Sequence, residues 1–174
     1  IDEDTELVNL QNSILNGEVV TREPAYYAGG TAAAHSGQDW GNTYAEVDMS
    51  AQHMWYVQNG QVVLETDVVT GEPIPSKITP EGVYSLMWKQ PNSVLVGDIN
   101  PDTGEPAYRT KVKYWMQVTS SGVGFHDATW QTAFGGTLYQ IPGTGSHGCI
   151  NMPLDQAGAL FNMIEPGTPV IFHW

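Results

Sequence analysis

"TYAEVDMSAQHMWYVQNGQVVLETDVV", residues 43–69, is the stretch of the chain that indicates its fold most directly. Apolar and polar residues alternate along it, as they do in strands that bury one face. Asn59-Gly60 separates its last two segments, and this dipeptide is the strongest short signal for a tight β-hairpin turn. The stretch therefore predicts that β-structure opens a compact domain.

The residues that precede this stretch have a different pattern. Leu7, Leu10 and Ile14 recur at helical spacing and Gly17 follows as a stop signal, so we predict a helix here. From Gly17 to about residue 42 the sequence is rich in Gly, Ala and small polar residues, which is typical of a linker. We therefore divide the chain into residues 1–42, a helix that reads as the end of a longer segment plus a linker, and a compact domain over residues 43–174.

Further strands and one helix are predicted downstream. "GVYSLMW" at 82–88 continues the alternation, and "AYRTKVKYWMQVT" at 107–119 is the longest strand candidate. Its two predicted faces are Val112, Tyr114, Met116 and Val118 on one side, and Arg109, Lys111, Lys113 and Trp115 on the other. Pro153 and Asp155 suit a first helical turn, and "TPVIFHW" returns as a last strand. This pattern predicts a mainly β fold, a sandwich or a barrel-like fold, with one helix inside the domain.

Composition limits the classes of function. The formal net charge is −13 and the basic residues form no run, so nucleic acid is an unfavourable partner. No apolar run approaches the roughly 20 residues that a membrane-spanning helix requires. A single cysteine, Cys149, excludes an internal disulfide.

Cys149, within "SHGCIN", is the candidate nucleophile. A thiol attacks as the thiolate, so it needs a nearby cation or a helix N-terminus, and a helix is predicted to begin near Pro153. Consecutive amides of His147, Gly148 and Cys149 would form an oxyanion hole. His126 is a better candidate for the base than His147, because it lies at a strand end that the fold can bring to the cysteine, and a nucleophile and its base are typically adjacent in space but separated in sequence.

Two other interpretations of these residues stay open. A lone cysteine is commonly a small buried hydrophobic residue, and a lone histidine is commonly a hydrogen-bonded structural one. Alternatively, His126, His147 and Cys149 would bind zinc with Asp127 nearby, although the second closely spaced ligand pair of structural zinc sites is absent from the sequence.

"GFHDATW" at 124–130, followed by "GSHGCINM" at 145–152, resembles the signature of the YkuD-type L,D-transpeptidase catalytic domain. The resemblance covers about residues 43–174. It implies a YkuD-like β-sandwich, and the residues before it resemble the tail of the domain that precedes the catalytic unit in multi-domain Gram-positive members.

The resemblance also implies roles for individual residues. Cys149 matches the nucleophile and His126 the general base, while Ser146 helps to hold the site. The remaining matches are site-lining or substrate-binding positions: His147, Gly148, Ser121, Gly122 and Asn151. Asp127 stands where some members have Ser, so its role is open. No metal or cofactor is implied.

The implied reaction is acyl transfer between peptidoglycan stem peptides. A tetrapeptide stem acylates the cysteine with release of D-Ala, and the amine of a neighbouring stem then completes a 3→3 cross-link in cell wall biogenesis. Carbapenems are the implied covalent inhibitors, and the implied location is extracytoplasmic, at the cell wall or surface of a Gram-positive bacterium. Loops 70–82 and 133–145 are candidate lids over the thioester.

Two alternative functions stay open on the sequence. With water as acceptor the enzyme would be an L,D-carboxypeptidase. Alternatively, the six Trp and eight Tyr residues would form a sugar-stacking platform in a non-catalytic module that binds wall glycan.

Overall fold

The structure is a computed structural model that describes residues 3–21 and 40–174. The chain divides into two units, Ile1–Gly41 and Asn42–Trp174. In the first unit, α1 spans Glu3–Asn16 and ends at Gly17, whose φ is +67°. The predicted helix is therefore confirmed, while most of the predicted linker lies outside the described residues. No helix within 3–21 or 40–174 has the length and apolarity needed to cross a membrane.

Two sheets form the second unit within residues 40–174. The first has the order β3-β2-β1-β9-β4 and the second the order β5-β6-β7-β8. The first sheet consists of β1 (Tyr44–Asp48), β2 (His53–Gln58), β3 (Gln61–Asp67), β4 (Gly82–Ser85) and β9 (Pro169–His173). The second consists of β5 (Trp88–Val96), β6 (Arg109–Gln117), β7 (Gly124–Asp127) and β8 (Ile150–Met152). This mainly β arrangement confirms the predicted fold class.

The predicted hairpin joins β2 and β3. Asn59 and Gly60 have φ of +53° and +77°, the left-handed values that a type I′ turn requires at both central positions. β1, β2 and β3 are consecutive antiparallel neighbours. The alternation in residues 43–69 therefore predicted the first three strands correctly.

The segment 82–88 differs from its prediction as one strand. β4 pairs with β9 in the first sheet, whereas β5 begins at Trp88 and pairs with β6 in the second. Leu86, which is 1% exposed, lies at this crossing between the sheets. The sequence did not predict β5 because Pro91, opposite Tyr114, cannot donate to the ladder and argues against a strand.

The two faces of β6 follow the prediction with one exception. Val112 and Met116 are buried in the core, and Arg109 and Lys111 on the other face are exposed. Trp115, however, is only 4% exposed although it shares the face with the charges. It packs against Trp88 of β5 and His126 of β7, so this end of the outer face is covered.

The core lies between the sheets and is completed by α2 (Leu154–Met163). Helix α2 begins after Pro153, as predicted, and packs on β6 and β7 through fully buried Ala157 and Leu160. Because α2 covers the inner face of the second sheet, side chains on the outer face of β7 and β8 remain available for a site.

Candidate active site

The segment 146–149 is a tight turn held by one hydroxyl. Ser146 Oγ donates to the Cys149 carbonyl at 2.5 Å and accepts the Gly148 N–H at 3.0 Å. Gly148 has a φ of +116°, which a residue with a side chain rarely adopts. The turn presents Cys149 at the start of β8. The Gly148 N–H is already engaged, so it differs from the expectation that it would be a free oxyanion donor.

The remaining amides of the turn are free within the unit. Among residues 40–174, the N–H groups of His147 and Cys149 donate to no protein acceptor. His147 is exposed, and its ring lies 5.1 Å from that of Tyr108. His147 and Cys149 are therefore the two amides of this turn that could bind an oxyanion.

A second segment, residues 70–79, holds the turn 146–149 in place through hydrogen bonds. Ser146 N–H donates to the Thr70 carbonyl at 3.0 Å, and Glu72 N–H donates to the Ser146 carbonyl at 3.1 Å. Thr79 Oγ1 donates to the Gly148 carbonyl at 2.8 Å. Loop 70–82 packs against the turn in this way and lines no part of the adjoining cavity, so it supports the turn, and its role as a lid stays a prediction.

Parallel pairing of β7 and β8 brings the predicted nucleophile and base to one face. The register places His126 opposite Asn151, and Cys149 precedes Asn151 by two residues. Side chains two residues apart in a strand share a face, so all three lie on the outer face of the second sheet. All three line one cavity of about 440 Å³.

The His126 ring is fixed from three sides. Its Nδ1 lies 3.0 Å from the Asp127 carbonyl, and Trp115 and Trp130 flank it at ring distances of 6.0 and 5.8 Å. A carbonyl only accepts, so Nδ1 carries the proton and Nε2 of the neutral ring is the basic atom. Burial lowers the pKa of His126, with partial opposition from the Asp127 carbonyl.

Asp127, whose role was open, acts on the backbone of β6. One carboxylate oxygen accepts the N–H groups of Lys113 and Tyr114, both at 2.8 Å. Asp127 is 2% exposed, and its carboxylate faces the β6 backbone and not the three candidate zinc ligands, His126, His147 and Cys149. Within residues 3–21 and 40–174, no three His, Cys, Asp or Glu side chains are grouped so that they could hold a metal ion.

The environment of Cys149 favours the thiol. The residue is half-buried, and Sγ lies 3.6 Å from the Gly122 carbonyl, to which it donates. Burial raises the pKa of the thiol to about 11, although the Gly124 N–H opposes the shift. Burial thus favours the thiol of Cys149 and the neutral ring of His126, and it opposes the thiolate that we expected near the helix N-terminus.

Comparison with known proteins identifies the family. A model of the YkuD family, the L,D-transpeptidase catalytic domain, matches residues 42–172. The chain belongs to this family. The match starts where the second structural unit starts and includes both Cys149 and His126.

Two solved structures and one curated relative illustrate the similarity. A crystal structure of an Enterococcus faecium L,D-transpeptidase mutant shares 42% identity at a TM-score of 0.70, covering 99% of this chain and 65% of that one. The E. faecium catalytic domain acylated by ertapenem shares 46% identity at a TM-score of 0.64, covering 76% and 97%. L,D-transpeptidase 1 of Mycobacterium tuberculosis is 30% identical over 126 residues, 70% of this chain and 47% of the relative. The chain thus spans about half the length of this curated relative.

The cavity of this L,D-transpeptidase domain has two walls. One wall consists of Leu95 of β5, Thr110 of β6 and Tyr108, which immediately precedes β6; loop 133–145 supplies Gly143 and Thr144 on the other side. Glu72, which forms a 2.8 Å ion pair with Lys77, accepts the Gly143 N–H at 3.1 Å and so holds that loop. The sequence indicated that loop 133–145 lies near the site, as a candidate lid, but it did not indicate the other wall, because β5 itself was not predicted.

A second recess of about 550 Å³ reaches Cys149 from the other side. Trp88, Trp115 and Gly122 contribute to its lining. Of the predicted substrate positions, Gly122 therefore lines this recess and Asn151 lines the first cavity. Ser121 lines neither, since its hydroxyl is exposed and pairs with Thr119 at 2.8 Å.

Proposed function

We propose that this domain is a peptidoglycan L,D-transpeptidase in which Cys149 is the nucleophile and His126 the base. The observation that carries the proposal is the parallel β7–β8 register, which supports a shared site for the two side chains in one cavity. The orientation of His126 supports it further, since Nδ1 is engaged and Nε2 is left as the basic atom.

The first step acylates the cysteine. Cys149 Sγ attacks the carbonyl carbon of the third stem residue while His126 Nε2 takes the thiol proton. Because both groups are neutral at rest, proton transfer accompanies the attack. The N–H groups of His147 and Cys149 donate hydrogen bonds to the oxyanion that forms. The C–N bond then breaks and His126 returns the proton to the nitrogen. D-Ala is released, and the remaining stem stays bound to Cys149 as a thioester.

The second step uses an amine from a neighbouring stem. Its nitrogen attacks the thioester carbon and gives a proton to His126 Nε2, the C–S bond breaks, and the sulfur recovers that proton. The product is a 3→3 cross-link. With water in place of the amine, the same thioester would give the L,D-carboxypeptidase product.

The same chemistry extends to β-lactams. The E. faecium catalytic domain has been solved as the ertapenem acyl form. We propose that a carbapenem acylates Cys149 through the same attack, and that stem peptides are the natural partners. Peptidoglycan as substrate places the working site outside the cytoplasmic membrane, at the wall of a Gram-positive bacterium.

The purified protein incubated with a disaccharide-tetrapeptide tests these proposals. A transpeptidase yields a cross-linked dimer and D-Ala, whereas a carboxypeptidase yields the tripeptide alone. Cys149→Ala should abolish either product. If the wild-type protein binds glycan but yields neither product and no adduct, it is a binding module and the proposal fails.

A further inference from the structure

A short relay of side-chain amides crosses the cavity next to the proposed nucleophile. Gln131 Nε2 donates to the Thr144 carbonyl at 3.3 Å, and Asn151 Nδ2 donates to Gln131 Oε1 at 2.6 Å. The Thr144 carbonyl can only accept, so Gln131 must direct its nitrogen there and its oxygen towards Asn151. Asn151 in turn must direct its nitrogen towards Gln131. The backbone carbonyl at one end therefore fixes the orientation of both amides.

The relay leaves one acceptor unused. Asn151 Oδ1 is buried and has no hydrogen-bond partner among residues 3–21 and 40–174. Asn151 as a whole is 3% exposed, yet it lines the cavity together with Cys149 and His126. Buried side-chain acceptors without a partner are rare and call for an explanation. A ligand that brings a hydrogen-bond donor into the cavity would supply one.

The position of Asn151 indicates which donor this is. Asn151 lies directly opposite His126 in the β7–β8 register. In the proposed reaction, His126 exchanges a proton with the nitrogen of the scissile amide, or with the attacking amine. That nitrogen carries a further N–H, and the N–H becomes a stronger donor as the nitrogen gains positive charge.

We propose that Asn151 Oδ1 accepts this N–H of the reacting nitrogen, and that Gln131 is the positioning residue that holds Asn151 in the accepting orientation. The inference rests on the proposed function and names a contact within it. It makes the site selective for nitrogen that carries hydrogen. The nitrogen of a carbapenem lactam carries none, so carbapenem acylation does not use the contact.

The test compares two acylation reactions in the same variants. Gln131→Met removes both hydrogen bonds that Gln131 makes in the relay. We expect kcat/KM for a tetrapeptide stem to fall about tenfold, while the rate of acylation by a carbapenem changes less than about twofold. Asn151→Leu should show the same split. Gln131→Glu keeps an acceptor for Asn151 Nδ2, so it should retain more peptide activity than Gln131→Met. Gln140→Met is the matched control, since the Gln140 side chain donates to the Tyr139 hydroxyl and lines neither cavity, and it should change neither reaction.

A depsipeptide stem identifies the hydrogen involved, because an ester oxygen replaces the scissile N–H. Wild type and Gln131→Met should process it at similar rates. Equal losses with peptide, depsipeptide and carbapenem would show that Gln131 only maintains the structure and would overturn the inference. If wild type accepts the carbapenem but no peptide, the proposed function fails instead, so the two failures are distinguishable.

Discussion

The hydroxyl of Ser146 is the part of the site whose removal has the most readily estimated effect. Ser146→Ala deletes one donor and one acceptor at once, because Oγ bonds both the Cys149 carbonyl and the Gly148 N–H. Ser146 is 7% exposed, so water cannot readily replace these bonds. The turn that presents Cys149 would then be held only by its contacts with residues 70–79.

The cost follows from the two unpaired groups. A buried polar group that loses its partner costs about 1–3 kcal/mol, so two such groups cost about 2–6 kcal/mol. Because the contacts with residues 70–79 still hold the turn, we expect the lower part of this range, a loss of roughly 2–3 kcal/mol in the free energy of unfolding. At roughly 3 °C per kcal/mol for a domain of this size, the Tm should fall by roughly 6–9 °C. Loosening of the His147 and Cys149 amides should slow carbapenem acylation by about tenfold to a hundredfold.

Thermal unfolding and intact-mass acylation kinetics measure the two effects. Ser50→Ala is the matched control, because the Ser50 hydroxyl also makes a short bond, 2.6 Å to Asp48, but does so at an exposed turn. It should cost less than about 1 kcal/mol and leave acylation unchanged. If Ser146→Ala matched the control in both stability and rate, the turn would not depend on the hydroxyl and the reasoning would be refuted.

Three further predictions concern protonation and packing. Burial lowers the pKa of His126 below its usual 6.5, so the unfolded chain binds the proton more readily, and stability should hold down to about pH 6.5 and decline below it. The kcat/KM value follows the lowered pKa of the folded enzyme, so its decline should begin below pH 6.5. A decline of either quantity that begins near pH 8 would contradict this. The rate of Cys149 alkylation by iodoacetamide should still increase with pH above pH 9, because the pKa of the thiol is about 11. A rate that is constant from about pH 6 to 8 would instead indicate a thiolate–imidazolium pair. Gly71→Ala should lower the free energy of unfolding by roughly 3 kcal/mol or more, because the new Cβ would overlap the Lys77 carbonyl. Gly104→Ala, the control, has open space around its Cβ and should cost only about 1 kcal/mol. Equal unfolding midpoints of the two variants in denaturant would refute the packing argument.

Local signals were sufficient for the elements that local chemistry determines. The Asn59-Gly60 turn, the helix after Pro153 and the alternation of β6 were all readable from the sequence, because turn geometry and burial of one face act over a few residues. The motif around Cys149 and the separate His126 also indicated a common site. What joins them, the parallel pairing of β7 and β8, is a long-range contact that no local pattern specifies.

The remaining features depend on tertiary contacts. The sequence did not predict β5 because Pro91 argues against a strand. Its missing N–H is tolerated here since β5 lies at the edge of the sheet, which only the assembled fold shows. Trp115 shares a face with lysines yet is buried, because Trp88 and the His126 ring cover it. The raised pKa of the Cys149 thiol was not predictable either, since burial causes it and burial is a property of the assembled cavity.

The acyl-enzyme formed with the natural type of substrate tests the central claim most directly. The protein is mixed with a tetrapeptide stem, quenched in acid, weighed intact and mapped by peptide mass. The account predicts an added mass equal to the stem less D-Ala, located on Cys149 and absent from Cys149→Ala. An adduct on another residue, or one that persists in Cys149→Ala, would contradict the account.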